Sequence, residues 1–235
     1  PNLAQIPSVH AEYGSECREQ WVVDPGYKLV GIDASGLELR MLAHYMEDEE
    51  YTKEIVDGDI HTKNQLAAGL DTRAKAKTFI YAFLYGAGAK KIGSITGTNG
   101  TVIIDKFMKN VPALAKLKEK IAVNLRNKGS LPGLDGRRLF IRSEHAALNT
   151  LLQGAGAVVM KKALVIFNKY IKLHELDAHF VANVHDEWQL EVKEEEAELV
   201  GQLGVKAIVE AGKALRLNCP LDGEYKVGDN WKQTH

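Results

Sequence analysis

The stretch HAALNTLLQGAGAVVMKKALVIFNKYIKL, His145 to Leu173, sets the tightest limit on what this chain can fold into. It follows helical spacing and is mostly apolar, so the helix it predicts has to be largely buried. Other segments predict the strands. YKLVGIDA, Tyr27 to Ala34, alternates and ends apolar, which puts Asp33 at a strand end. SGLELRMLAHYM follows at helical spacing, with Ser35 available as a cap. FVANVHDEWQLEV, Phe180 to Val192, reads as two strand-like pieces with His185, Asp186 and Glu187 wedged between them.

Between these strands lies a helical block. YTKEIVDGDIHTKNQLAAG predicts two short helices hinged at Asp57 and Gly58, and TRAKAKTFIYAFLYGAGAKK a helix from Thr72 that Gly86 stops. PALAKLKEKIAVNLRNKG predicts another, opened by Pro112 and closed by Gly129. A turn at GLDG leads to the short strand RRLFIR, and a solvated acidic helix begins at EEEAELV. The order of elements predicts an α+β fold, a sheet platform carrying a helical insertion.

Composition narrows the class. At 235 residues with 45% hydrophobic residues the chain is an ordinary folded protein, so disorder is not expected. Cys17 and Cys219 are too few and too far apart for a disulfide framework or a cysteine zinc site, which fits a reducing cytosol. No charged-then-apolar leader is present and no run approaches roughly 18 consecutive apolar residues, so the expectation is a cytoplasmic protein without membrane contact. The net charge of −1 gives no sign of a polyanionic partner, yet Thr72 to Lys91 holds five basic side chains and no acidic one.

Two constellations carry chemistry. If Asp33 and Asp186 met in space they could hold two divalent cations about 3.5–4 Å apart. Mg²⁺ needs only a few carboxylates plus substrate phosphates. Each aspartate taken alone reads equally as a turn residue. Arg73, Lys77 and Tyr81 are four apart on one helix face that Tyr85 continues. Cations above aromatic rings suit a triphosphate with a base or sugar, and equally a solvated basic face over an aromatic core stripe.

The motifs also carry a resemblance. VGIDASGLELRMLAHYM, RAKAKTFIYAFLYGAG and VHDEWQL resemble motifs A, B and C of family A DNA polymerases, in the family's order. The flanks PNLAQIPS, GDIHTKNQLA, GLDGRR and HAALNTLLQGAGA are similar to the replicative polymerases of short-tailed phages, so the resemblance covers essentially the whole chain. It implies an antiparallel-sheet palm with a helical fingers insertion, lacking thumb and exonuclease: palm in 1–50 and 131–235, fingers in 51–130. It implies two Mg²⁺ on Asp33, Asp186 and the backbone carbonyl of Ala34, with Asp33, Asp186 and Lys77 catalytic. Arg73 and Lys77 would bind the triphosphate of an incoming nucleotide, with His61 nearby and Tyr81 along the sugar. Glu38 would be the steric gate against a 2′-hydroxyl. Tyr85 would lie near the template base, Asn149 and Gln153 would reach the minor groove, His185 would contact the primer backbone, and Glu187, grouped with these DNA-binding residues, would support the metal site.

Ala34 and Gly36 depart from the Tyr and Gln of many family members, as in the phage branch. Tyr81 stands where many bacterial members carry Phe, which implies ready acceptance of dideoxynucleotides. The implied activity is template-directed DNA synthesis on a primer 3′-hydroxyl by the C-terminal part of a longer or split polymerase. Its partners would be primer-template DNA, dNTPs and an N-terminal segment or subunit supplying the thumb, with a processivity factor left open. The alternatives are a weakly catalytic primer-template or partner-binding module that needs an N-terminal subunit, and a single-subunit RNA polymerase, against which Glu38 and the HDE string argue.

Overall fold

A computed structural model describes residues 3–235; Pro1 and Asn2, which open the PNLAQIPS flank, lie outside the described residues. In chain order, helix α1 (Gly14–Glu19) precedes strand β1 (Tyr27–Ala34). Helices α2 (Leu37–Met46), α3 (Glu49–Val56), α4 (Ile60–Ala68) and α5 (Arg73–Leu84) follow. Then come α6 (Ala89–Thr96), α7 (Gly100–Asn110) and α8 (Pro112–Lys128). A hairpin of β2 (Ser130–Pro132) and β3 (Arg138–Phe140) leads to α9 (Ala147–Leu173). The chain closes with β4 (Ala178–Val184), β5 (Glu187–Lys193), α10 (Ala197–Ala214) and β6 (Gly223–Gly228). The result is the expected α+β class.

The chain forms two compact units, Pro1–Leu37 with Gly156–His235, and Glu38–Ala155. The first is built on a sheet of order β4-β5-β1-β6 in which every neighbouring pair is antiparallel. Successive side chains of a strand point to opposite faces, so Val30 and Ile32 look one way and Gly31 and Asp33 the other. Helices α9 and α10 cover the first face. Phe167 of α9 stacks on Trp188 at 5.5 Å and meets Phe180 edge-on at 5.6 Å. Helix α10 lies close because it presents glycines: a Cβ at Gly204 would stand 2.4 Å from Ile32 Cδ1, and one at Gly201 2.2 Å from the Tyr225 ring. The second face is approached by the C-terminal segment, which Gly31 admits. A Cβ at that position would stand 2.4 Å from the Thr234 carbonyl oxygen, the close backbone approach for which glycine inside a strand is suited.

The second unit is helical apart from the small hairpin. Its α3 and α4 flank the expected hinge, and Asp48, Asp59, Thr72 and Asn99 each cap a helix by accepting backbone amides. Side-chain oxygens at these positions satisfy donors that a helix leaves unpaired at its start. Helix α5 buries Phe79, Ile80 and Phe83 while Phe107 of α7 packs edge-on against both phenylalanines, at 5.1 and 5.7 Å.

Helix α9 corrects one expectation: it is buried along one side rather than largely buried. Glu144–Leu173 is also apolar enough, by length and composition, to cross a bilayer. Counting consecutive apolar residues missed this because isolated polar residues and glycines interrupt the run. Its apolar side is nonetheless used inside the protein: Leu152, Ala155, Val159, Ala163 and Phe167 are buried, at the spacing of one helix face. Lys161, Lys162 and Lys169 are exposed. This is a one-sided core helix.

Candidate functional site

The residues singled out in the sequence fall into two groups, one in each unit. In the sheet unit, the β4–β5 connection is a two-residue loop, His185 and Asp186, with His185 in the left-handed region at φ 56°. Positive φ at such loops matches the twist of the flanking strands. The Ala34 amide donates to the Asp186 carbonyl at 3.0 Å, which ties the end of β1 to this loop. Asp33 lies opposite Glu187 on one side and Glu224 on the other. The sheet register thus gathers carboxylates that lie 153 residues apart in sequence, from Asp33 to Asp186.

The electrostatic consequence is large. Burial, then the negative charges of Asp186, Glu187 and Glu224, push the Asp33 carboxyl up from the ordinary carboxylate range to about 7, with His235 pulling the other way. Such a cluster favours either a proton or a cation. Among the described residues no three or more His, Cys, Asp and Glu side chains form a ready-made cage. The donors that are present, two aspartates and the Ala34 carbonyl, are hard oxygens. That set fits a hard divalent cation sharing its shell with water and substrate phosphate.

Glu187 is treated differently from Asp33. It is 5% exposed, and its Oε1 accepts from Trp231 Nε1 at 2.7 Å and from Gln189 Nε2, while Oε2 meets His235 Nδ1 at 2.7 Å. Burial works to raise its pKa, but the hydrogen bonds from His235, Gln189 and Trp231 together hold it below the usual range. Its carboxylate therefore belongs to an internal network beside Asp33. A cleft of about 200 Å³, lined by Gly31, Asp33, Glu187, Glu224, Thr234 and His235, opens there. Sequence reasoning missed Gln189, Glu224, Trp231, Thr234 and His235. One signal was available: Gly31 inside an otherwise apolar strand marks a place where another backbone comes close.

In the helical unit, Arg73 and Lys77 are exposed on α5 and Tyr81 is half-buried on the same face. The His61 ring lies 6.2 Å from that of Tyr81. Burial, then the charges of Arg73 and Lys77, lower the His61 pKa, and its buried Nδ1 makes no hydrogen bond among the described residues. A neutral imidazole beside two cations is thus part of this face. Arg73 is paired with Asp59 at 2.7 Å and Lys75 with Asp71 at 2.8 Å.

Three residues distant in sequence meet at the C-terminal end of α5. Tyr85 Oη donates to Glu38 Oε1 at 3.1 Å, and Gln153 Nε2 approaches Glu38 Oε1 at 3.4 Å and Tyr85 Oη at 3.2 Å. Asn149, one helical turn before Gln153, is half-buried. His185, in the other unit, is exposed on its loop.

Comparison with known proteins bears on the chain as a whole. The family model described as DNA polymerase family A matches residues 1–233. A DNA-directed DNA polymerase of Enterobacteria phage T3 is 43% identical over 271 residues, covering 100% of this chain and 38% of the relative. That of Escherichia phage T7 is likewise 43% identical, with the same coverage of each chain. The solved POL domain of Pol1 from M. smegmatis, in complex with DNA primer-template and dNTP, superposes with a TM-score of 0.88 at 26% identity, over 99% of this chain and 45% of that one. The chain therefore spans 38% of the length of the phage relatives it matches.

Proposed function

This chain belongs to DNA polymerase family A, and from that premise we propose that it carries out template-directed addition of deoxynucleotides to a primer 3′-hydroxyl with release of pyrophosphate. The observation that carries the reading is the backbone bond from Ala34 to Asp186, which holds the two aspartate-bearing segments at one end of the sheet. In this reading Asp33, Asp186 and the Ala34 carbonyl hold two Mg²⁺. When bound, such ions supply activation of the attacking hydroxyl and neutralisation of the leaving phosphate.

The chain's own residues do the rest. Arg73 offers a forked donor and Lys77 a point charge to the triphosphate, with Lys77 meeting the charge that develops on the leaving group. His61 stands beside them. Tyr81 lies along the sugar, and its hydroxyl favours acceptance of dideoxynucleotides. Glu38, held by Tyr85 and Gln153, closes the space that a 2′-hydroxyl needs. Tyr85 serves the template base, Asn149 and Gln153 the minor groove, His185 the primer backbone, and Glu187 the metal end from within.

The palm would comprise 1–50 and 131–235 and the fingers 51–130, working in the cytoplasm. Primer-template DNA and dNTPs are the substrates. The thumb, and any exonuclease, we assign to polypeptide outside these 235 residues, as a preceding segment or a separate subunit.

Primer extension with Mg²⁺ tests this, using the chain alone and then with a candidate N-terminal partner, each beside Asp186→Asn and with dNTPs against rNTPs. Little extension alone, recovery on pairing, loss in the variant and preference for dNTPs are expected. A variant that extends as well as the parent defeats the two-metal assignment. Binding of primer-template without extension by the paired protein would favour a binding module instead.

A further inference from the structure

Asp59 carries no role in the reading above, yet it joins the two helices that bear the triphosphate-binding residues. It caps α4: Oδ1 accepts the backbone amides of His61 at 3.1 Å and Thr62 at 3.3 Å. Its other oxygen, Oδ2, accepts the Thr62 hydroxyl at 2.8 Å and Arg73 Nε at 2.7 Å. One carboxylate therefore fixes the backbone of His61 and the guanidinium of Arg73 together. Arg73 is the first residue of α5, whose start is capped separately by Thr72 accepting from the Lys75 amide at 3.2 Å. The ion pair is thus not needed to begin either helix.

The edge of the guanidinium that Asp59 takes matters. A guanidinium held through Nε still presents its two Nη groups side by side, and that pair forks onto phosphate oxygens. With 55% of its side chain exposed, an Arg73 lacking this tether would have to surrender its rotamer freedom on binding. An exposed ion pair adds little to folding stability, so its consequence is expected at the ligand. We propose that Asp59 is a positioning residue that holds Arg73 by its Nε edge, so that the Nη pair is preset for the phosphates of the incoming nucleotide. This rests on the reading that Arg73 binds the triphosphate. The Asp59 carboxyl lies well below the usual range, first through its hydrogen bond from Arg73 and then through that from Thr62, so the tether stays charged at working pH.

The test is a calorimetric titration of the chain with inorganic tripolyphosphate, comparing Asp59→Asn, Arg73→Ala and the double variant. Asparagine caps a helix about as well as aspartate, so Asp59→Asn keeps an acceptor for the α4 amides and removes the anionic tether. Its thermal midpoint should match the parent's. Binding should weaken about fivefold in Asp59→Asn, and further in Arg73→Ala. In the double variant it should be no weaker than in Arg73→Ala. Unchanged or tighter binding by Asp59→Asn overturns the proposal, since Asp59 would then merely shield the cations. A fivefold loss that persists in the Arg73→Ala background also overturns it, because the effect would run through α4 alone. If Arg73→Ala binds tripolyphosphate as the parent does, the assignment of Arg73 to the triphosphate falls, and the role of Asp59 falls with it.

Discussion

Asp33 ends a central strand with its carboxyl lifted to about 7 by burial and like charges, whereas Arg73 stands exposed at the start of a helix with its charge answered by Asp59. The sheet unit accepts electrostatic tension at one point and surrounds it with satisfied groups, Glu187 above all. The helical unit relaxes Arg73 through Asp59, Lys75 through Asp71 and Lys63 through Glu50. A carboxylate cluster held by sheet register cannot move aside, so it is preorganised for whatever neutralises it. A guanidinium held by one edge on an exposed side chain keeps its other donors open to a ligand.

That contrast can be broken in several ways. The largest effect is expected from Asp33→Asn or Asp186→Asn, each lowering the rate of primer extension by about three orders of magnitude. Arg73→Ala should mainly raise the KM for dNTP, by about tenfold, and the contrast fails if it costs as much kcat as the aspartates do. Next comes Gly31→Ala, whose Cβ would collide with the Thr234 carbonyl. Denaturant unfolding should show a loss of about 1–3 kcal/mol, and the Trp231–Glu187–His235 closure should loosen.

A smaller effect concerns pH without metal. Folded Asp33 keeps its proton up to about 7, while the unfolded chain releases it near 3.8. Between those values the folded state binds more protons, so this group's contribution to stability declines as pH rises and is lost above about 7. His61, whose pKa is lowered by burial and two cations, works in the opposite direction near its ordinary value of 6.5. The difference between parent and Asp33→Asn melting curves in chelator isolates the aspartate. It should grow in the variant's favour from pH 4 to 8 and vanish with saturating Mg²⁺; a flat difference contradicts the clustered-charge account. The smallest effect is on folding by the basic face, where Arg73→Ala and Lys77→Ala should leave the thermal midpoint unmoved within about 2 °C.

The sequence made the local pieces legible. Asp33 at a strand end, the HDE turn, the hinge at Asp57 and Gly58, and the Arg73–Lys77–Tyr81 face all follow from periodicity and from residues that begin or end elements. Helices α6 and α7 and strand β2 went unread, their patterns being short and their packing set by Phe107 and other distant contacts. The network around Glu187 was out of reach for a different reason. Trp231 and His235 come to it from 44 and 48 residues away, and no spacing rule spans such a loop. Resemblance to a family supplied the roles expected of Glu38 and Gln153, whereas their meeting at Tyr85 became visible only in the structure.

Helix α9 also has a history in time. Its Phe167 is buried against Phe180 and Trp188, residues that a ribosome adds later, and the glycine-bearing face of α10 that completes the layer comes later still. For that interval the nascent chain carries a segment apolar enough for a bilayer with no sheet to cover it. Synthesis of this protein therefore passes through a stage exposed to aggregation and to chaperone capture, and slowing translation between Leu173 and Ala197 would lengthen it.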